Sequence, residues 1–275
     1  GLPTRMGSFR AKATSVYTNA APSGPMRGHG TVQPVFPLQT ALDEAAEKFG
    51  IDPIEMRRIN AVEEGGETVN GFPIPSCAIR EALDAVERMS DWCALRPTLT
   101  KGYGLGVATS AYISGTAYPP DPADGPVQSR LSLKLEANGR VTIFFGDDEI
   151  GQGSDTMVAI LISDETGIPL DLFDVVSGDT ARCPVGLGSY SSRVTLMGGW
   201  AAVDAAQQLR AKLVEVVERK WGVPSDRVRV RMGGFMNLNN ETEMEIEEVL
   251  ALARQRFISC RVEGEFRTLE VKASA

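Results

Sequence analysis

Arg27-Gly28-His29-Gly30 sets an arginine beside the sole histidine of the chain, in a stretch (residues 18–30) too rich in glycine and proline for helix or strand. An arginine flanked by Gly24-Pro25 and Gly28 is suited to a bidentate contact with phosphate or carboxylate. The histidine taken alone reads as a packed or surface side chain. Two loops of similar character follow, Gly151-Gln152-Gly153-Ser154-Asp155-Thr156 and Gly186-Leu187-Gly188-Ser189-Tyr190-Ser191-Ser192-Arg193. Each of the three runs into a helical pattern. Donor-rich loops that open helices point to one large anionic ligand held by backbone amides and short hydroxyls.

The residue types allow more than one use. In Gly151-Gln152-Gly153, glycines let a ligand approach the backbone, and the Gln152 amide offers a donor and an acceptor to a heterocycle. Ser154 and Thr156 can bind an anion or cap the helix, and a plain turn into a helix explains the motif as well. Ser189, Ser191 and Ser192 with Arg193 exceed what a serine turn with an N-cap needs. Asp147, Asp148 and Glu149 read as a solvated turn. No Walker or Rossmann pattern is present, because Gly102-Tyr103-Gly104-Leu105-Gly106 has the wrong spacing.

Elements must position these loops. Pro34 and Pro37 mark a helix start, with Leu38, Leu42, Ala45 and Phe49 on one face and Gly50 as the stop. Asp52-Pro53 opens a second, short helix. Residues 65–75 read as a loop, and Ser76 as the cap of a helix carrying Ile79, Leu83 and Val86. Residues 104–113 read as a strand and 118–126 as a surface loop. Leu131, Leu133 and Leu135 alternate on a strand joined by the Asn138-Gly139 turn to a return strand, residues 141–145. A helix from Met157 to Glu165 stops at Gly167, and residues 172–176 form a strand. The longest helix runs from about Val194 to Trp221 and stops at Gly222. Residues 227–231 make a short strand, Thr242-x-x-Glu245 a capping box before a helix with Ile246, Val249, Leu250 and Ala253, and residues 259–271 a strand-like tail. This order indicates α+β architecture, not a doubly wound sheet.

The 275 residues suffice for one or two domains, with an ordinary 43% hydrophobic and 23% charged content. A net charge of −8 leaves no basic patch to neutralise phosphates, so nucleic-acid binding is excluded as an expectation. No apolar run is long enough for a membrane span, and no hydrophobic signal region opens the chain. The first residue is not Met, so an internal piece of a longer reading frame, or a processed chain, is expected. Cys77, Cys93, Cys183 and Cys260 form no C-x-x-C pair, which disfavours zinc or iron–sulfur ligation here and fits a reducing cytoplasm.

The motifs together resemble the molybdopterin-binding large subunit of the xanthine oxidase family of molybdenum hydroxylases. One signature runs from Tyr17-Thr18-Asn19 through Arg27-Gly28-His29-Gly30 to Leu42-Asp43-Glu44-Ala45-Ala46, Asp52-Pro53 and Arg57-Arg58-Ile59-Asn60. A second joins Gly151-Gln152-Gly153 to Gly167-Ile168-Pro169 and Val176-Ser177-Gly178-Asp179-Thr180. The third is Gly188-Ser189-Tyr190-Ser191-Ser192-Arg193. The resemblance covers residues 15–215, with weak agreement beyond. Its form is closest to 4-hydroxybenzoyl-CoA reductase and its relatives. Gly28 stands where the carbon monoxide dehydrogenase branch has cysteine.

The resemblance implies an α+β fold, part of the molybdenum cofactor-binding domains of the xanthine oxidase/aldehyde oxidoreductase large subunit. Residues 1–100 would end the first such domain and 101–275 begin the second. It implies molybdopterin, in its cytosine dinucleotide form, with molybdenum held by the pterin and not by protein side chains. Gly28, Gly151, Gln152, Gly153, Ser154, Thr156, Ser189, Tyr190, Ser191, Ser192 and Arg193 would contact the cofactor. Arg27 would stand near the active centre and His29 would line the substrate pocket. The activity implied is oxidation of an aromatic, N-heterocyclic or aldehyde substrate with water-derived oxygen, electrons leaving through 2Fe–2S and FAD subunits. Reductive dehydroxylation of an aromatic CoA thioester, a hydration, or a non-catalytic assembly role are the alternatives. The family's late Gly-x-Gly-Glu motif, which carries the base, has no match, since Glu263-Gly264-Glu265 fits neither context nor register. The expectation is a split subunit whose other molybdopterin-binding fragments supply that glutamate.

Overall fold

A computed structural model describes residues 3–22, 24, 27–28, 30–69, 71–112, 129–257 and 260–267. His29 and the expected 118–126 loop lie outside the described residues. The chain divides into two compact units, Gly1–Ile113 and Ser114–Ala275.

The first unit is helical. Helix α1 spans Val32–Phe49 and ends at Gly50, whose φ of 63° is the left-handed stop that only glycine adopts without strain. Leu38, Leu42 and Ala45 of the expected face are half-buried, but Phe49 is exposed and the fully buried positions are Gln39 and Ala46. A buried cation explains this. Arg57, on α2 (Pro53–Ile59), is 2% exposed and donates from Nε to Gln39 Oε1 (2.8 Å) and from Nη1 to Asp43 Oδ1 (2.7 Å) and Pro53 O (2.9 Å). Asp52 caps α2 through the Ile54 N–H (2.8 Å) and accepts a bond from Trp92 Nε1 (2.9 Å).

Helix α3 spans Ile79–Met89 and α4 Trp92–Leu95, and Ile54, Leu83 and Trp92 form a small core. Ser76 does not cap α3. The helix starts after Ala78 with no side-chain cap. Residues 104–112 join no sheet among the described residues, and the Thr109 N–H donates instead to a side chain, Gln39 Oε1 (3.2 Å).

The second unit holds, among the described residues, a four-stranded mixed sheet, a three-stranded antiparallel sheet and three α-helices. Strands β1 (Ser129–Leu135) and β2 (Val141–Phe145) form the expected hairpin across Asn138-Gly139, with Leu133 opposite Ile143. Helix α5 (Ser154–Thr166) returns the chain to β3 (Phe173–Val176), parallel to β2. Five π-helical residues, Val194–Gly198, lead into α6 (Gly199–Trp221). Strands β4 (Val228–Arg231), β5 (Gly234–Asn237) and β6 (Glu243–Glu245) make a small antiparallel sheet, α7 spans Ile246–Arg256, and β7 (Arg261–Phe266) pairs with β1. The larger sheet has the order β3-β2-β1-β7. The capping box does not form: residues 243–245 pair with β5, which holds Glu245 extended with no side-chain cap. Among the described residues no helix is long and apolar enough to cross a membrane.

Leu131, Leu133, Val141, Ile143 and Phe145 from the sheet meet Ala201, Ala202, Ala205, Leu209 and Leu213 from α6. All five β2 residues are buried, since Arg182 and Arg261 cover the outer Phe144 ring at 5.4 and 5.5 Å. The alanines of α6 let the helix lie close to β7. At Gly264 a Cβ would overlap the Ala201 carbonyl oxygen and come within 2.9 Å of Ala205 Cβ. Gly264→Ala should therefore cost about 3 kcal/mol, as overpacking does in a close-packed interface. Urea unfolding checks this, and an unchanged midpoint would mean that α6 stands off the sheet.

Candidate functional site

Two of the sequence-derived loops lie together at one end of β1 and β2. Strand β2 ends at Phe145, and Gly146 follows with no room for a side chain: a Cβ there would sit 2.7 Å from Pro184 O and 3.1 Å from the Gly186 nitrogen. This close approach brings the 184–193 loop against the strand end.

In the acidic run that follows, Asp148 and Glu149 are exposed as in a solvated turn, but Asp147 is not. Asp147 and Arg193 are both 0% exposed and form an ion pair, Nη1 to Oδ1 at 2.5 Å. Asp147 Oδ2 accepts from Ser129 Oγ (2.6 Å), and Arg193 Nη1 also donates to Gly188 O (2.8 Å). Arg193 Nε and Nη2 are buried without a hydrogen-bond partner among the described residues. The Asp148 carbonyl oxygen accepts from Gln152 Nε2 (2.9 Å) and from Ser189 Oγ. Glu149 folds back over the start of α5. Its Oε1 accepts from the N–H groups of Gly151 (2.7 Å) and Gly153 (3.0 Å), and its Oε2 from Asp155 N–H (3.2 Å) and Ser154 Oγ (3.3 Å). These bonds to the ionised form hold its carboxyl down at about 2.

The structure thus corrects part of the anion reading. The backbone amides opening α5 are already used by the chain's own carboxylate. Gly153, at φ 82°, is the N-cap, and Ser154 is buried at the first helical position. Thr156 is exposed. Gln152 braces the loop: its Oε1 accepts from the Ile150 N–H (2.7 Å), and its Nε2 reaches Ser154 Oγ (2.9 Å) and Ser189 Oγ (3.4 Å).

The second loop is arranged differently. Ser191 and Ser192 both take φ of 53°, a left-handed conformation unusual for residues with a side chain. Ser192 is exposed, and the half-exposed Tyr190 ring lies 6.0 Å from the Arg193 guanidinium carbon. The π-helical turn directly after Arg193 is a device that recurs at functional sites. The loops therefore meet as Gln152 against Ser189, over a buried Asp147–Arg193 pair.

Arg27 and Gly28 belong to the first unit. Arg27 is exposed, with no hydrogen-bond or ion-pair partner among the described residues, and Gly28 at φ 85° accepts the Thr31 N–H through its carbonyl oxygen (2.8 Å) before α1. Sequence reasoning missed Asp147 and Glu149. Their signal was position, immediately after a fully apolar strand and ahead of a glycine loop that needs its amides satisfied.

Glu149 has a measurable consequence. Its folded pKa, about 2, lies below its ordinary 4.5. The stability it supplies is present above the ordinary value and lost as pH falls through the folded one. Glu149→Gln should lessen the acid sensitivity of the second unit between about pH 4.5 and 2. Acid unfolding of both proteins checks this, and identical curves would show that the carboxylate caps nothing.

Comparison with known proteins now bears on these loops. Two family models, each described as molybdopterin cofactor-binding domain, match residues 78–275 and 4–61. The xanthine dehydrogenase molybdenum-binding subunit of Escherichia coli O157:H7 is 31% identical over 217 residues, covering 75% of this chain and 28% of the relative. The nicotine 6-hydroxylase large subunit of Paenarthrobacter nicotinovorans is 30% identical over 209 residues, 72% of this chain and 26% of its own length. The chain thus spans about a quarter to a third of the curated relatives that it matches. Quinoline 2-oxidoreductase from Pseudomonas putida 86 shares the fold with a TM-score of 0.69 at 20% identity, over 87% of this chain and 33% of that one. The chain belongs to the molybdopterin cofactor-binding domain family, within the molybdenum-binding subunits of the xanthine oxidase type.

Proposed function

We propose that this chain supplies part of the molybdopterin seat in a multi-subunit molybdenum hydroxylase that oxidises an aromatic or N-heterocyclic compound, or an aldehyde, with water-derived oxygen. The observation that carries the reading is the pairing of Gln152 with the Ser189–Arg193 loop over one buried ion pair. The residues suit a phosphate-bearing pterin: two serines stand at the start of a long helix, and beneath them a buried guanidinium has donors to spare. Ser189, Ser191, Ser192 and Arg193 would hold the cofactor, with Tyr190 beside them. Gly151, Gln152, Gly153, Ser154 and Thr156 would give it an edge that Glu149 keeps rigid. When bound, the cofactor supplies the two-electron redox chemistry and the oxygen transfer, and the protein supplies binding and orientation.

In the first unit, Arg27 would offer its guanidinium to a substrate or cofactor oxygen, and Gly28 would let the backbone approach the cofactor. His29 would stack on, or hydrogen-bond to, the ring or carbonyl of the substrate. The cytosine dinucleotide form and a closeness to 4-hydroxybenzoyl-CoA reductase remain implications of the motifs. In the same reading residues 1–100 end one cofactor-binding domain and 101–275 begin the next. Further molybdopterin-binding segments carry the base glutamate, and 2Fe–2S and FAD subunits carry electrons away. A relative is described as subunit gamma of the 6-hydroxypseudooxynicotine dehydrogenase complex, which supports a hetero-oligomer. We assign the chain to the cytoplasm, where four cysteines free of disulfides are at home.

The Ser191→Ala/Ser192→Ala chain, purified in its complex, should retain about one tenth or less of the pterin of the native complex, the loss expected for two hydrogen bonds to a charged group. Pterin fluorescence after oxidation measures it, and full retention would remove these serines from the seat. His29→Phe should change substrate preference while molybdenum content holds. Unchanged kinetics across a panel of aromatic and aldehyde substrates would refute the pocket role.

A further inference from the structure

We propose that the Nε/Nη2 edge of Arg193 binds a phosphate group of the cofactor beneath the serine loop, and that Asp147 sets how much positive charge the edge presents. The inference rests on the reading above and deepens it, by giving one guanidinium edge one kind of ligand oxygen.

Arginine has two bidentate edges. Here Nη1 is spoken for by Asp147 Oδ1 (2.5 Å) and Gly188 O (2.8 Å). The other edge, Nε with Nη2, offers parallel N–H groups that match two oxygens of one phosphate. Neither nitrogen has a hydrogen-bond partner among the described residues, and the residue is 0% exposed. Arginine cannot shed its proton, and buried donors without acceptors are costly, so the edge calls for an acceptor. Asp147 does not fill that need, because its second oxygen is held by Ser129 Oγ at 2.6 Å.

The edge also sits where an anion gains most. Arg193 is the N-cap of the π-helical turn that opens the 23-residue helix α6, so its backbone stands at the positive end of a long helix. Ser191 and Ser192 precede it in a strained left-handed turn, which persists only where neighbours over-determine it. The α5 N-terminus cannot compete for the same anion, since Glu149 occupies its amides.

The test is titration of the full chain with inorganic pyrophosphate by calorimetry, in wild type, Asp147→Asn, and the Asp147→Asn/Arg193→Met double variant. The double variant keeps the buried pair neutral and similar in volume, so it avoids a lone buried charge. If Arg193 serves the ligand, Asp147→Asn frees its charge and should tighten binding severalfold. The double variant should then bind about tenfold or more weakly than wild type. If Arg193 merely braces the loop, Asp147→Asn weakens binding and the double variant restores it, which overturns the proposal. Binding by wild type and both variants alike overturns it too, and leaves the cofactor reading standing. No binding by wild type overturns both. Chain that still carries its pterin should take up no pyrophosphate until the pterin is stripped. Uptake with pterin in place would overturn the assignment to the cofactor.

Discussion

A carboxylate and a guanidinium buried in a fold are costly unless each is paired. Asp147 and Arg193 lie 46 residues apart and meet that requirement in each other. The pair joins the end of the central strand β2 to the start of helix α6. Removing one partner of such a pair costs about 3–5 kcal/mol, because the other is left buried and uncompensated. The polar contacts that follow Asp147 in the chain gather beside that joint. Asp148 offers its carbonyl oxygen to both loops, Glu149 ties down the start of α5, and Gln152 links the first loop to Ser189.

Backbone contact makes the joint possible. Gly146 and Gly186 approach so closely that neither can carry a side chain. Gly198, in the π-helical turn, would set a Cβ 2.7 Å from Phe145 Cζ and 3.4 Å from Asp147 Oδ2. Glycine thus clears space for a charged pair at the edge of an apolar core, where the strand, the loop and the helix meet. On the far side the alanine face of α6 lies on Gly264 of β7. Helix α6 is thus fixed near its start, through Gly198 on the strand end and through Ala201 and Ala205 on β7.

Local patterns were legible in the residues. Glycine stops at 50, 167 and 222, the Asn138-Gly139 turn, and the Leu131/Leu133/Leu135 alternation each act over a few residues, and each is met in the structure. Thr242-x-x-Glu245 has the spacing of a capping box, but three residues of strand pairing outcompete it. Residues 104–112 have strand-like composition and lack a partner strand among the described residues. For the site, the loops and their donors could be read, and the structure sets Gln152 beside Ser189. Which donors were already spent could not be read. The first of the three acids, Asp147, looks as solvated as the exposed Asp148 and Glu149 unless the arginine 46 residues later is known to lie against it.

The most direct measurement is metal and nucleotide analysis of the freshly isolated complex that contains this chain. Molybdenum close to one per chain, with CMP released on acid hydrolysis, is the expected result. A fully assembled complex without metal or pterin would contradict the cofactor-seat account and leave the paired loops as a frame for assembly alone.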